Sequence, residues 1–256
     1  MILHARAVVP MSRPALRDAA VVISNGRIHS VSRWRDLAAA ERRKVVDLGD
    51  VAILPGLVNA HCHLNYTHMA GQFPPPRQFT DWLKSIVATK AGWSREDYAA
   101  SWLGGAQMLL RTGTTTVGDI EAVPELLPEL RTQTPLRLIS FLEMIGITGR
   151  RSAQTILRET LGRFPGLRAA GCRPGLSPHA PYSTLPDLLN RCAQAARRRH
   201  CRVAIHVAES AVEHEMFAAG RGEMYEWMKR SSRDMSDCGK RSPVEHLEEC
   251  GLAAPN

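Results

Sequence analysis

The chain has 256 residues, 44% hydrophobic and 23% charged, enough for one sizeable core on the scale of roughly 100–200 residues per domain. No apolar run approaches the ~20 residues that a membrane span needs, and Met1-Ile-Leu-His4 lacks the charged and apolar regions of a secretory signal. The formal charge of +8 raises nucleic acid as a partner, but the basic residues are scattered and few aromatics interleave with them, so no platform for stacking bases is expected.

Residues 1–52 read as short strands, Leu3 to Val9, Ala20 to Ile23, Arg27 to Val31 and Lys44 to Asp47, with Asn25-Gly26 as a hairpin turn. No cluster of chemically active side chains falls there. From residue 53 the pattern alternates apolar strand with amphipathic helix. A strand ending in Leu57 to His63 leads into a loop from Leu64 to Phe79, then helices over Asp81 to Lys90 and Arg95 to Arg111, with Gly113 as the helix stop. The β-branched run Thr114 to Ile120 is the second strand. After a short helix near Val123 to Arg131 comes a third strand, Leu136 to Ile145. Ser152 caps a helix running to Phe164, and Cys172 to Ser177 is the fourth strand. Thr184 with Asp187 resembles a capping box for a helix ending at Arg199. Arg197-Arg198-Arg199-His200 then complements the helix dipole and faces solvent. A fifth strand spans Arg202 to Val207, and Ala211 to Arg230 is largely helical. Strands alternating with helices of this length predict an α/β fold, a parallel sheet or a (β/α) barrel.

The chemistry concentrates at strand ends. In Ile53-Leu-Pro-Gly-Leu-Val-Asn-Ala-His61-Cys62-His63, strand alternation turns His61 and His63 to one face and Cys62 to the other. Two imidazoles so placed can grip one metal ion, and imidazole suits zinc. Cys62 faces away from that ion and is not the nucleophile. His206 ends the fifth strand with Glu209 three residues on, where barrel enzymes place site residues, and it is the candidate third ligand. Three protein ligands plus water make a catalytic zinc arrangement. His179 sits in Ser177-Pro-His-Ala-Pro-Tyr-Ser183, its backbone fixed by Pro178 and Pro181. His68 lies in the loop after the first strand, and His246, on a helix after Pro243, is expected to be structural.

Pro55-Gly-Leu-Val-Asn-Ala-His-Cys-His-Leu64 resembles the first-strand motif of the amidohydrolase superfamily. Within it the chain is most similar to the deaminase and chlorohydrolase branch, and the resemblance covers essentially its whole length. It implies a TIM-like barrel over residues 53–256, preceded by residues 1–52 as the N-terminal part of a composite β-sandwich. It implies one divalent metal on His61, His63 and His206, zinc with iron as the alternative. Glu209 would be the catalytic proton shuttle, and His179 and His68 would bind substrate. No lysine occurs between Lys90 and Lys229, so the carboxylated lysine of two-metal relatives has no counterpart. The implied reaction is hydrolytic deamination of an amino-substituted nitrogen heterocycle such as an adenosine derivative. The alternatives are a dechlorinating or alkylamine-releasing triazine hydrolase, and an inactive fragment or binding protein.

About five of the eight strands of a barrel are present, and the family's fourth histidine and its aspartate have no matching positions. The chain is therefore read as a truncated member, with its first and fifth strands left as sheet edges and His206 no longer held opposite His61 and His63 by closure. The six cysteines form no Cys-x-x-Cys pair, which fits reduced thiols in the cytoplasm. Expected partners are a small-molecule substrate and, for the full-length protein, a second copy in a homodimer, with neither nucleic acid nor membrane.

Overall fold

The computed structural model describes residues 1–39 and 45–252, so Lys44, at the head of one expected strand, lies outside the described residues. The chain divides into two compact units, Met1–Leu57 and Val58–Asn256. Ile53 falls in the first because it pairs with Val8.

The first unit is a sheet of β1 (Ile2–Val8), β2 (Leu16–Ser24), β3 (Arg27–Arg33), β4 (Val45–Asp47) and β5 (Ala52–Ile53). Its order is β3-β2-β1-β4, with β5 also on β1. Asn25 and Gly26 take φ of 50° and 69°, as a tight turn between right-twisted strands requires. Ala20 packs with Ile2 and Leu37, while its neighbours Ala19 and Val21 pack with Val8 on the other face.

The second unit carries the sheet β6 (Leu57–Cys62), β7 (Thr114–Glu121), β8 (Arg137–Met144) and β9 (Arg173–Pro178), in that order. β7, β8 and β9 are parallel, in register from Val117↔Leu138 and Leu142↔Leu176. Between and after the strands come α1 (Phe79–Ala91), α2 (Arg95–Arg111), α3 (Leu127–Leu130), α4 (Ala153–Gly162), α5 (Phe164–Ala169), α6 (Pro186–Arg199), α7 (Ala211–Ala219), α8 (Glu223–Arg230) and α9 (Pro243–Glu249). Leu138, Leu142 and Leu176 from the sheet pack with Trp102, Leu127 and Leu188 from helices in one core. The segment Val117 to Glu121 is buried throughout, as expected of a strand covered on both faces. Gly118 lets β7 approach β6 closely, because a Cβ there would run into the Ala60 carbonyl.

Four expectations are corrected. The loop after His63 opens with a 3-10 helix, Leu64–Met69, pinned by Ser101, whose hydroxyl donates to the Asn65 carbonyl and accepts the His68 amide. The helix from Ser152 stops at Gly162, because Pro165 has no N–H to continue the ladder, and α5 begins anew at Phe164. Thr184 does not cap α6. Pro186 occupies its first turn and Leu185 its N-cap, while the Thr184 hydroxyl is buried and donates to the Met144 carbonyl. The fifth strand is reduced to one bridge between Leu176 and Val203. Leu176 donates to the Arg202 carbonyl and Ala204 to that of Leu176, and the next donor in this ladder would be residue 178. That residue is Pro178, so the pairing ends there.

Candidate metal centre

β6 ends by presenting His61 and His63. The turn after them is fixed by Asp119 of β7, whose buried carboxylate accepts the Leu64 N–H at 3.0 Å and the Trp102 Nε1–H at 2.9 Å. His206 arrives from beyond β9. Its backbone N–H and its ring Nδ1–H both donate to the His179 carbonyl, each at 2.9 Å. With the proton on Nδ1, the lone pair of His206 lies on Nε2. That Nε2 lies 3.1 Å from His63 Nε2 and 3.2 Å from His61 Nε2. All three ligand atoms lie within 4.8 Å of one another.

This arrangement fits a metal. One lone pair on His206 can accept one N–H, yet two ring nitrogens crowd it, so hydrogen bonding alone leaves one contact unsatisfied. A tetrahedral ion with Zn–N bonds of about 2.0–2.1 Å would separate its ligand nitrogens by about 3.3–3.4 Å, close to the two spacings seen. Burial, and then the neighbouring His206, push His63 down to about 3 and lower His61. Both rings are therefore neutral near pH 7, which is the metal-binding form. Burial pushes the Cys62 thiol up to about 11, so it stays protonated, and its side chain packs against the core.

Around the three rings stand groups of graded polarity. Tyr66 stacks flat on His63, with centroids 4.6 Å apart at 14°. The His179 ring centroid lies 5.0 Å from that of His206. Its Nδ1–H donates to Ser183 Oγ at 2.7 Å, and its Nε2 is 3.9 Å from the Glu143 carboxylate. Burial, with His206 second, pushes His179 down to about 3. Glu209 accepts the Tyr182 hydroxyl at 3.1 Å, and its own N–H donates to Glu213 at 2.7 Å. It follows Ala208, whose φ of 53° is a left-handed conformation that a non-glycine residue adopts at a cost of order 1–3 kcal/mol.

The structure thus gathers His61, His63 and His206, with the His179 ring beside that of His206. His68 is exposed at the end of the 3-10 helix, its ring over Gly104 of α2 rather than among the three. His246 packs on Phe217, 4.9 Å between centroids, and faces Asp237. Sequence reasoning missed Asp119, Tyr66, Glu143 and Tyr182. Burial raises the carboxyl pKa of Glu143. Tyr182 alone carried a signal, since it lies in the same proline-flanked stretch as His179.

Residues 52–256 match the model of the amidohydrolase family. A 5-methylthioadenosine/S-adenosylhomocysteine deaminase from Syntrophobacter fumaroxidans is 29% identical over 249 residues, 93% of this chain and 51% of the relative. The solved structure of Helicobacter pylori aminofutalosine deaminase, in complex with methylthio-coformycin, superposes with a TM-score of 0.75 at 24% identity, over 90% of this chain and 56% of that one. Atrazine chlorohydrolase TrzN from Arthrobacter aurescens, complexed with zinc, gives 0.77 at 20% identity, over 99% and 58%. The chain spans about half the length of the curated relatives it matches. The fold shared with the two structures is that of a partial (β/α) barrel.

Proposed function

The chain belongs to the amidohydrolase family, and from that membership we propose that it serves the hydrolysis of a carbon–nitrogen bond outside peptides, the deamination of an amino-substituted heterocycle such as an adenosine derivative. The observation that carries this reading is the convergence of three Nε2 atoms from β6 and from the segment beyond β9. His61, His63 and His206 would hold a divalent ion, zinc before iron. When bound, such an ion supplies Lewis acidity and lowers the pKa of a water from 15.7 to about 7.

The remaining steps belong to the chain's own side chains. Glu209 moves a proton to the ring nitrogen next to the carbon under attack, making that carbon more electrophilic. The Tyr182 hydroxyl holds one oxygen of that carboxylate in place. His179, neutral and tethered to Ser183, orients the heterocycle, and His68 contributes from the rim. Ammonia leaves. The partner is a small heterocycle rather than nucleic acid. Six free cysteines support the cytoplasm as the site of action, since thiols stay reduced there.

The test uses a protein extended to the length of its relatives and loaded with zinc, offered 5-methylthioadenosine and other amino- and chloro-substituted purines and triazines. We expect ammonia release that stops on chelation and returns with zinc. Glu209→Gln should keep one metal per chain and lose on the order of 10²–10⁴ in turnover. Stoichiometric zinc with no ammonia from any amino heterocycle would overturn the deaminase reading, and chloride release would move it to the halide branch.

A further inference from the structure

Arg233 lies beyond α8, and its side chain has no exposed surface. Its guanidinium uses both edges. Nη1 and Nη2 donate to the two carboxylate oxygens of Asp237 at 2.6 and 2.7 Å. On the other side Nε–H donates to the Tyr182 carbonyl at 2.9 Å and Nη2 to the Pro181 carbonyl at 3.0 Å. The Phe217 ring lies 5.7 Å from the guanidinium carbon. Asp237 is four residues away in sequence, whereas Pro181 and Tyr182 are about fifty, so the second edge reaches across the fold.

Those two carbonyls belong to the stretch on which the metal centre leans. Its first residue, His179, offers the carbonyl that takes both the backbone N–H and the Nδ1–H of His206. Its Tyr182 donates to Glu209. The backbone of residues 179–182 therefore sets which nitrogen of His206 carries the proton and where the Glu209 carboxylate points. Carbonyl partners that orient a ligating histidine commonly tune metal affinity. We infer that Arg233, locked by Asp237, is a positioning residue for the metal centre, clamping the Pro181-Tyr182 backbone so that His206 and Glu209 keep their aim. Only a planar fork can bind a carboxylate on one edge and two carbonyls on the other; a lysine is a single point charge. The inference rests on reading the three histidines as a metal centre, but the clamp has a readout that needs no metal.

The test compares the 256-residue chain with its Arg233→Met, Arg233→Lys and Asp237→Asn variants. Site-resolved amide exchange is measured without metal, and Co²⁺ affinity with its visible spectrum is measured by titration. The amides of His179, bonded to Met144, and of His206, bonded to His179, should exchange at least about 10-fold faster in Arg233→Met, while the β8 amides hold within about 2-fold. Co²⁺ should bind about 10–100-fold more weakly with an altered spectrum, and Arg233→Lys should not rescue it. A change spread evenly over the sheet, or no change at the two histidine amides, would overturn the clamp. If Arg233→Met does not fold, Asp237→Asn, which keeps the cation and the volume, decides. If the parent chain takes up no Co²⁺, the metal reading fails and the exchange data alone judge the clamp.

Discussion

Glu213 is a carboxyl group with no exposed surface, and its two oxygens are treated unequally. One accepts the Glu209 N–H at 2.7 Å, while the other has no hydrogen-bond partner. Burial first, opposed in part by the Glu209 amide, pushes its pKa from 4.5 up to about 7. Between these two values the folded protein holds a proton that the unfolded chain has released, so stability falls as pH rises through the window. The penalty is absent below pH 4.5 and complete above pH 7. Glutamine can still accept the Glu209 amide and cannot ionise. Glu213→Gln should therefore gain on the parent across that window by about 3 kcal/mol at most, read from urea midpoints on either side of it. Equal pH slopes for the two proteins would show that Glu213 ionises freely.

At the scale of elements, the centre depends on how closely β6 lies to β7. A Cβ on Gly118 would collide with the Ala60 carbonyl, and backbone cannot turn aside as a side chain can. Gly118→Ala should cost about 1–3 kcal/mol as overpacking and displace the strand end that carries His61 and His63. Thermal melting would report the first effect and weakened Co²⁺ binding the second; unaltered binding would mean that the strand end is held by the Asp119 bonds alone. The elements also show what a sequence displays. The end of α2 was legible because Gly113, at φ 84°, follows it, whereas the capping box of Ser94 and Asp97 at its start went unread. The His-x-His pair was legible because strand alternation is a local rule. Glu143 was not, since a carboxylate within an apolar strand reveals its surroundings only once β7 and β9 flank it. The fifth strand misled for a similar reason: its own residues suit a strand, and the missing donor belongs to Pro178 on its neighbour.

On the scale of the whole molecule, the three histidines meet although the described sheet has four strands, with β6 at one edge. Local bonds flank them, the Leu64 amide on Asp119 at one side and the His206 amide on His179 at the other. What remains open is the edge itself. Leu57 is 57% exposed and Val58 69% on β6, an apolar strand with a neighbour on only one side among the described residues. Such edges pair with other chains. The 256-residue chain should thus self-associate as concentration rises, and Val58→Lys should shift sedimentation towards the monomer while changing stability by no more than about 0.5 kcal/mol. The competing cause is a contact between basic and acidic surfaces, which would have to overcome the mutual repulsion of chains with a net charge of +8. Salt separates the two, because ionic contacts weaken with screening whereas apolar association strengthens in sulfate. Association that dissolves in sulfate and ignores Val58→Lys would place the contact on the charged surface instead of the β6 edge.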